Sequence, residues 1–198
     1  TNTSAKYLIY DNHICITGGQ NYYSEHEVSK LELDALENAL ALGQLLQRIV
    51  ILPAFHCDRS RKLDDLCPLN ALVRISDFDR EFKDLYREHT FLSNPLVPSE
   101  VKRSQSQIHF VATHMTLRMI DIDSISSNKE YKILHPREEH NPSNEEALKW
   151  FYSVEESVLR IHSLYDFRIE LPGGRNDHHF REKVKLGFSS AVYRQYRT

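Results

Sequence analysis

Between Glu25 and Arg48 the chain reads as one long amphipathic helix, and it runs with almost no linker into Ile49-Val50-Ile51-Leu52. Val28, Leu31, Ala35, Leu36, Ala39, Leu42, Leu45 and Leu46 recur at steps of three and four, the spacing of a helical face. Ser24 supplies an N-cap oxygen and Glu27 completes a capping box, each side chain satisfying an amide that the first turn leaves open. In the C-terminal half apolar residues occur on both faces, so that half is expected to pack between a sheet and a further layer. The tetrapeptide that follows is an unbroken aliphatic run, rich in β-branched residues and ended by Pro53. Strands covered on both faces read this way, as the central strands of parallel sheets do. A long helix delivering the chain to such a strand is one half of a βαβ crossover. The expected fold class is therefore α/β: a Rossmann-like layered domain with a mostly parallel central sheet, in which Ile49–Leu52 is an inner strand flanked on both sides.

The remaining pattern alternates in the same way. Tyr7–Tyr10 and His13–Thr17 are short β-prone runs, separated by Asp11-Asn12 and ended by Gly18-Gly19. Phe78–Arg87 reads as a short helix, and Ser93–Ser106, with Pro95 and Pro98, as irregular chain. Ile108–Thr113 is strand-like, and Met115–Ile122 continues it or pairs with it. Tyr131–Leu134 is a further strand. Asn144 caps a helix reaching about Glu156, with Ala147, Leu148, Phe151 and Val154 as its apolar stripe. Val158–Ile161 is another strand, and Asp177 caps a last helix carrying Phe180, Val184 and Phe188. There is no internal repeat. A chain of 198 residues, 40% of them hydrophobic, buries a core without staples, so residues 1–198 are expected to form a single α/β domain.

The formal net charge of −3 comes from interspersed acids and bases with no polybasic stripe, which argues against nucleic acid as a partner. No apolar run approaches the roughly 20 residues of a membrane span. The chain begins at Thr1 without a signal peptide, and is expected to be processed or excised from a longer protein whose targeting segment has been removed. Cys57 and Cys67 flank a polar loop, His56 to Pro68, and can close a small disulfide worth about 2–3 kcal/mol. Cys15 reads as a buried thiol in an apolar run. The alternative is three free thiols in a cytosolic protein, and spacing alone does not decide between them. Asn2-Thr3-Ser4 is a glycosylation sequon, whereas Asn141-Pro142-Ser143 is barred by its proline. Cysteines and sequon together fit the secretory pathway.

Chemistry-bearing residues cluster after the Ile108–Thr113 strand. Asp121 and Asp123 alternate with Ile120 and Ile122, which puts both carboxylates on one face of an extended chain. Paired carboxylates at a strand end can hold Mn²⁺ or Mg²⁺, and such a metal can neutralise negative charge on a leaving group. His114 and Arg118 lie where ligands collect in open α/β sheets, and arginine's planar fork suits phosphate. The bland readings carry weight: a three-residue Asp-x-Asp match is common, and Asp77-Phe78-Asp79 is a second one. His178-His179 has no third ligand spaced nearby. Gly18-Gly19 and Gly173-Gly174 match no phosphate-binding fingerprint, and no nucleophile elbow, P-loop or metalloprotease helix occurs.

The stretch Leu36-Glu37-Asn38-Ala39-Leu40-Ala41-Leu42-Gly43-Gln44-Leu45-Leu46-Gln47-Arg48-Ile49-Val50-Ile51-Leu52-Pro53-Ala54-Phe55-His56-Cys57 resembles a helix–strand unit of secretory-pathway glycosyltransferases. In those proteins a helix of small and leucine-rich residues leads through an arginine to a "V-I-L-P" strand. Arabinosyltransferases of glycosyltransferase family 77 carry such a unit downstream of their nucleotide-diphospho-sugar transferase domain, followed by a cysteine and a later Cys-Pro, like Cys57 and Cys67-Pro68 here. Protein O-fucosyltransferases carry a similar unit near their start. The segment Val158-Leu159-Arg160-Ile161-His162-Ser163-Leu164-Tyr165 looks like a strand and loop near the end of that module. The resemblance is close over some 30 residues. It departs at Tyr22-Tyr23-Ser24, where the fucosyltransferases have glycine-asparagine. It implies a nucleotide-sugar donor, a glycan or protein acceptor and a Golgi or ER lumen location. The family 77 comparison also implies that this chain is a C-terminal module with an upstream catalytic domain, so no catalytic residue is carried over.

Two function classes follow. One is a glycosyltransferase-related module, transferring or helping transfer a sugar. The other is a non-catalytic interaction or scaffold domain of a secretory-pathway protein, which the sparse catalytic motifs favour. The first predicts a nucleotide-sugar pocket at strand carboxyl ends, or a partner domain supplying one; the second predicts no convergent charged pocket and an exposed apolar patch instead.

Overall fold

A computed structural model describes residues 5–11, 25–56, 66–106, 108–111, 130–133, 149, 151–161 and 164. Its centre is a six-stranded sheet in the order β5-β2-β1-β8-β6-β7. The strands are β1 (Tyr7–Tyr10), β2 (Ile49–Ile51), β5 (Tyr86–Arg87), β6 (Ile108–Val111), β7 (Glu130–Ile133) and β8 (Val158–Ile161). Every pairing between them is parallel. Tyr7 lies opposite Ile49 on one side and Val158 on the other, so β1 is central. The expected Ile49–Leu52 strand is β2, held between β1 and β5 as an inner strand. The Tyr7–Tyr10 and Val158–Ile161 expectations coincide with β1 and β8. The remaining pair, β3 (Phe55–His56) and β4 (Leu66–Cys67), forms a separate antiparallel ladder with Phe55 opposite Cys67.

The alternation of the strands sorts their side chains into two cores. Leu8, Tyr10, Val50, Leu159 and Ile161 belong to the larger one, packed with Leu36, Ala39, Leu40 and Leu42 of α1 (Glu25–Leu45). Tyr7, Ile9 and Val158 face the other way, onto Phe91, Leu92, Val97 and Val101. The ring of Phe91 tilts against that of Tyr7 with centroids 4.9 Å apart. Val101 sits on α3 (Ser99–Arg103), a single turn of helix inside the stretch expected to be irregular. The C-terminal half of α1 is enclosed, as its two-faced apolar pattern implies. Ala41 is buried too, the Asn38 amide donates to the Leu164 carbonyl (3.1 Å), and the Tyr152 hydroxyl donates to the Leu45 carbonyl (3.2 Å).

The joint between α1 and β2 explains how helix feeds strand in three residues. The Arg48 amide reaches back to the Gly43 carbonyl (2.7 Å) and the Gln47 amide to that of Gln44 (3.1 Å), the paired bonds of a Schellman motif. Gln47 takes the left-handed conformation the motif requires, with φ of 53°. Gly43 is needed for close approach: a Cβ there would lie 2.5 Å from Val50 Cγ2 and 2.8 Å from the Arg48 carbonyl oxygen. The next amide, Ile49, then donates to Lys6 O (2.8 Å) and starts the sheet.

The Phe78–Arg87 helix is corrected by the structure. The helix is α2 (Ile75–Phe82), and Tyr86–Arg87 is strand β5. Phe78, Phe82 and Leu85 continue a helical period, but the Leu85 and Arg87 carbonyls accept from the amides of Val50 and Leu52, and sheet pairing overrides the local pattern. The loop expected from His56 to Pro68 is also corrected at its ends, which pair as β3 and β4. His13–Thr17, the Ser24 cap, Met115–Ile122 and the Asp177 helix lie outside the described residues.

Candidate functional site at the carboxyl edge of the sheet

Because all six strands are parallel, their carboxyl ends form one edge. From β1 the chain moves outward to β2 and β5, then crosses to β6 and β7, and β8 finally inserts beside β1. The reversal of strand order falls next to β1, the place where open α/β sheets leave a crevice for ligands. Two charged side chains meet there. Asp11 follows the last residue of β1 and its amide donates to the Ile161 carbonyl (3.2 Å). Arg160, the third residue of β8, brings Nη1 to 3.7 Å from Asp11 Oδ1 and donates from Nη2 to Gln105 Oε1 (2.9 Å). Both side chains are about a quarter exposed.

The backbone under Arg160 is held firmly. Residues 104–106 run beside β8 before β6 begins: the Val158 amide donates to Ser104 O (2.9 Å) and the Ser106 amide to Val158 O (2.8 Å). Ser104 Oγ accepts from the Ser157 amide (2.9 Å), and the buried Ser106 Oγ accepts from the Arg160 amide (3.1 Å). Gln105 is fixed in turn by donating from Nε2 to Lys102 O (2.8 Å).

Arg48 lies at the opposite, amino edge and has a different character. Its Nη1 donates to Tyr7 O (3.2 Å) and Glu156 O (3.0 Å), and its Nη2 to Val154 O (2.6 Å). It is buried, and burial lowers its pKa from the ordinary guanidinium value, partly offset by Glu156. This arginine ties the starts of β1, β2 and β8 together. The arginine of the helix–strand unit is thus a structural clasp.

The second Asp-x-Asp match also resolves as structure. Asp77 and Asp79 stand on α2, where alternate residues do not share a face. Asp77 pairs with Arg80 and, at 3.7 Å, with Arg74, while Asp79 accepts from the Tyr86 hydroxyl (2.6 Å). The sequence-predicted His114, Arg118, Asp121 and Asp123 follow β6 in the chain but lie outside the described residues, as do Asn2, Cys15 and Cys57. Cys67 is described on β4, opposite Phe55. Among the described residues, no three His, Cys, Asp or Glu side chains are grouped to hold a metal ion, and no helix is long and apolar enough to cross a membrane. Asp11 and Arg160 were not singled out by spacing. The available signal was a charge interrupting the apolar run Val158-Leu159-Arg160-Ile161.

No family model matches the chain, and no solved structure matches it. Among curated proteins it is similar to arabinosyltransferase XEG113 of Arabidopsis thaliana, with 22% identity over 178 residues. The match covers 78% of this chain but 26% of that protein, so the chain spans well under half of its relative's length. The similarity is distant and points to a glycosyltransferase-like relationship.

Proposed function

We propose that this chain is a glycosyltransferase-related module that transfers, or helps transfer, a sugar from a nucleotide-sugar donor to a glycan or protein acceptor. The observation that carries the reading is the similarity to an arabinosyltransferase over 78% of the chain. The parallel sheet supports it, because one edge gathers every strand end where a nucleoside diphosphate can be held. In this reading residues 1–198 are one α/β domain of a longer protein, working with an upstream catalytic domain in the lumen of the Golgi or ER. Where the chain itself carries out the transfer, His114 and Arg118 bind the donor's phosphates, and Asp121 and Asp123 hold Mn²⁺ or Mg²⁺ to neutralise charge as the glycosidic bond breaks.

Calorimetric titration of the chain with nucleoside diphosphates and Mn²⁺ tests the site. Asp121→Asn and Asp123→Asn are expected to abolish metal-dependent binding and leave thermal stability unchanged. If no nucleotide binds at millimolar concentration, the chain is not a self-sufficient transferase, and the accessory-module or interaction-domain reading gains. The luminal location implies a Cys57–Cys67 bridge, a free Cys15 and a glycan on Asn2. Thiol counting under denaturing, non-reducing conditions is expected to find one reactive thiol; three rule the bridge out.

A further inference from the structure

We propose that Arg160 is a further residue that takes the diphosphate of the donor, in addition to His114 and Arg118, and that Asp11 is the carboxylate it exchanges for that ligand; this rests on the transferase-related reading above. A charge in this position needs a reason. β8 is an interior strand, and Val158, Leu159 and Ile161 are all buried. A guanidinium among them gives up hydration that an aliphatic side chain would not. Arg48 offers the contrast: three carbonyl oxygens engage it and it is buried, so it serves the fold. Arg160 keeps about a quarter of its side chain in contact with solvent. Its acceptors are Gln105 Oε1 at 2.9 Å and Asp11 Oδ1 at 3.7 Å.

The longer distance decides the role of Asp11. Charge-assisted N–H···O bonds to carboxylate close to about 2.7–2.9 Å, and arginine forms them in pairs when the fork is locked. At 3.7 Å Asp11 balances the charge without locking the fork. A diphosphate carries more charge than a carboxylate and presents two oxygens to a planar fork, so it competes well for the same face. Gln105 and Ser106 keep Arg160 aimed while the partner changes, because Lys102 O holds the Gln105 amide and Ser106 Oγ holds the Arg160 amide. Asp11 sets the direction of the effect. Its negative charge stabilises the empty guanidinium and repels an arriving phosphate.

The test titrates the full chain and its Arg160→Gln, Arg160→Lys and Asp11→Asn variants with inorganic pyrophosphate, uridine diphosphate and guanosine diphosphate. Thermal midpoints are measured in parallel. Arg160→Gln is expected to weaken pyrophosphate about tenfold or more, the scale of a lost charge-assisted bond. Arg160→Lys is expected to weaken it less, since an ammonium keeps the charge and loses the fork. Asp11→Asn is expected to tighten it. A purely structural pair gives the opposite pattern: Asp11→Asn and Arg160→Gln lose affinity together or leave it unmoved, and either result overturns the proposal, as does a wild-type chain that binds no pyrophosphate. If Arg160→Gln fails to fold, the sign of the Asp11→Asn change still decides. Nucleoside diphosphate binding that survives Arg160→Gln overturns this assignment and leaves the transferase-related reading standing. Pyrophosphate binding through Arg160 without any added affinity for either nucleotide supports the anion site and removes the sugar-nucleotide reading.

Discussion

At the scale of single residues, Arg48 and Arg160 stand at opposite edges of the sheet. Arg48 donates to three carbonyls, that of Val154 in a buried bond, and an unsatisfied buried acceptor costs about 1–3 kcal/mol. Arg48→Lys is therefore expected to destabilise the fold by about 2 kcal/mol or more, since a point-like ammonium cannot span Tyr7, Val154 and Glu156 together. Denaturant unfolding measures it, and an unchanged midpoint would remove the clasp. Tyr86 makes a second residue-scale case. Burial first, then its hydrogen bond to Asp79, pushes its hydroxyl well above the ordinary tyrosine range. The folded state thus holds this proton more tightly than the unfolded chain. The linked stability is complete below the unfolded value of about 10 and is lost as pH rises beyond it towards the folded pKa. Tyr86→Phe is expected to flatten the fall in stability above about pH 10. It should also cost about 1 kcal/mol at neutral pH through the lost hydrogen bond, read from unfolding curves at several pH values.

At the scale of elements, the unit from α1 to β2 was the most legible part of the chain, because two independent signals agreed: a helical period and an aliphatic strand rich in β-branched residues. β1 and β8 were legible for the same reason, each being a short apolar run with local propensity and tertiary role in accord. The boundary between α2 and β5 was not, since Phe78, Phe82 and Leu85 continue a helical spacing and only pairing with β2 ends the helix. The agreement at the α1–β2 joint has a cost that can be measured. Gly43→Ala places a Cβ against Val50 and the Arg48 backbone, and backbone cannot step aside as a side-chain tip can. A loss of about 1–3 kcal/mol is expected, the usual scale for overpacking. Gln47→Gly at the same joint is expected to act in the opposite direction, by about 0.5–1 kcal/mol, because glycine adopts the left-handed conformation without a Cβ penalty. Thermal unfolding of the two variants checks both signs. Two changes of the same sign would mean that the joint is not what fixes α1 onto β2.

At the scale of the whole molecule, β1 is the first described strand and β8 the last, yet they are neighbours at the centre of the sheet. No local pattern could announce that. It is also why the Asp11–Arg160 pair escaped sequence reasoning, which looked for a site among nearby residues after one strand. A site assembled at a reversal of strand order draws its residues from strands far apart in the chain. The same topology predicts how the fold opens. β2, β1 and β8 each have a strand on both sides, and their alternate residues are packed by one core or the other. β5 and β7 stand at the outer positions of the sheet order. Amide protection follows the free energy of the opening that exposes each bond. The amides of β1, β2 and β8 are therefore expected to exchange only through global unfolding, and those of β5 and β7 through smaller openings. Native-state hydrogen exchange read by mass spectrometry at increasing denaturant resolves these classes. Because the β1–β8 pairing joins strands far apart in the sequence, folding should also be slow for the chain's size. Arg48→Lys, which unclasps the amino edge, is expected to lower the protection of β1, β2 and β8 together, and loss confined to one of the three would show that the central strands do not open as a unit.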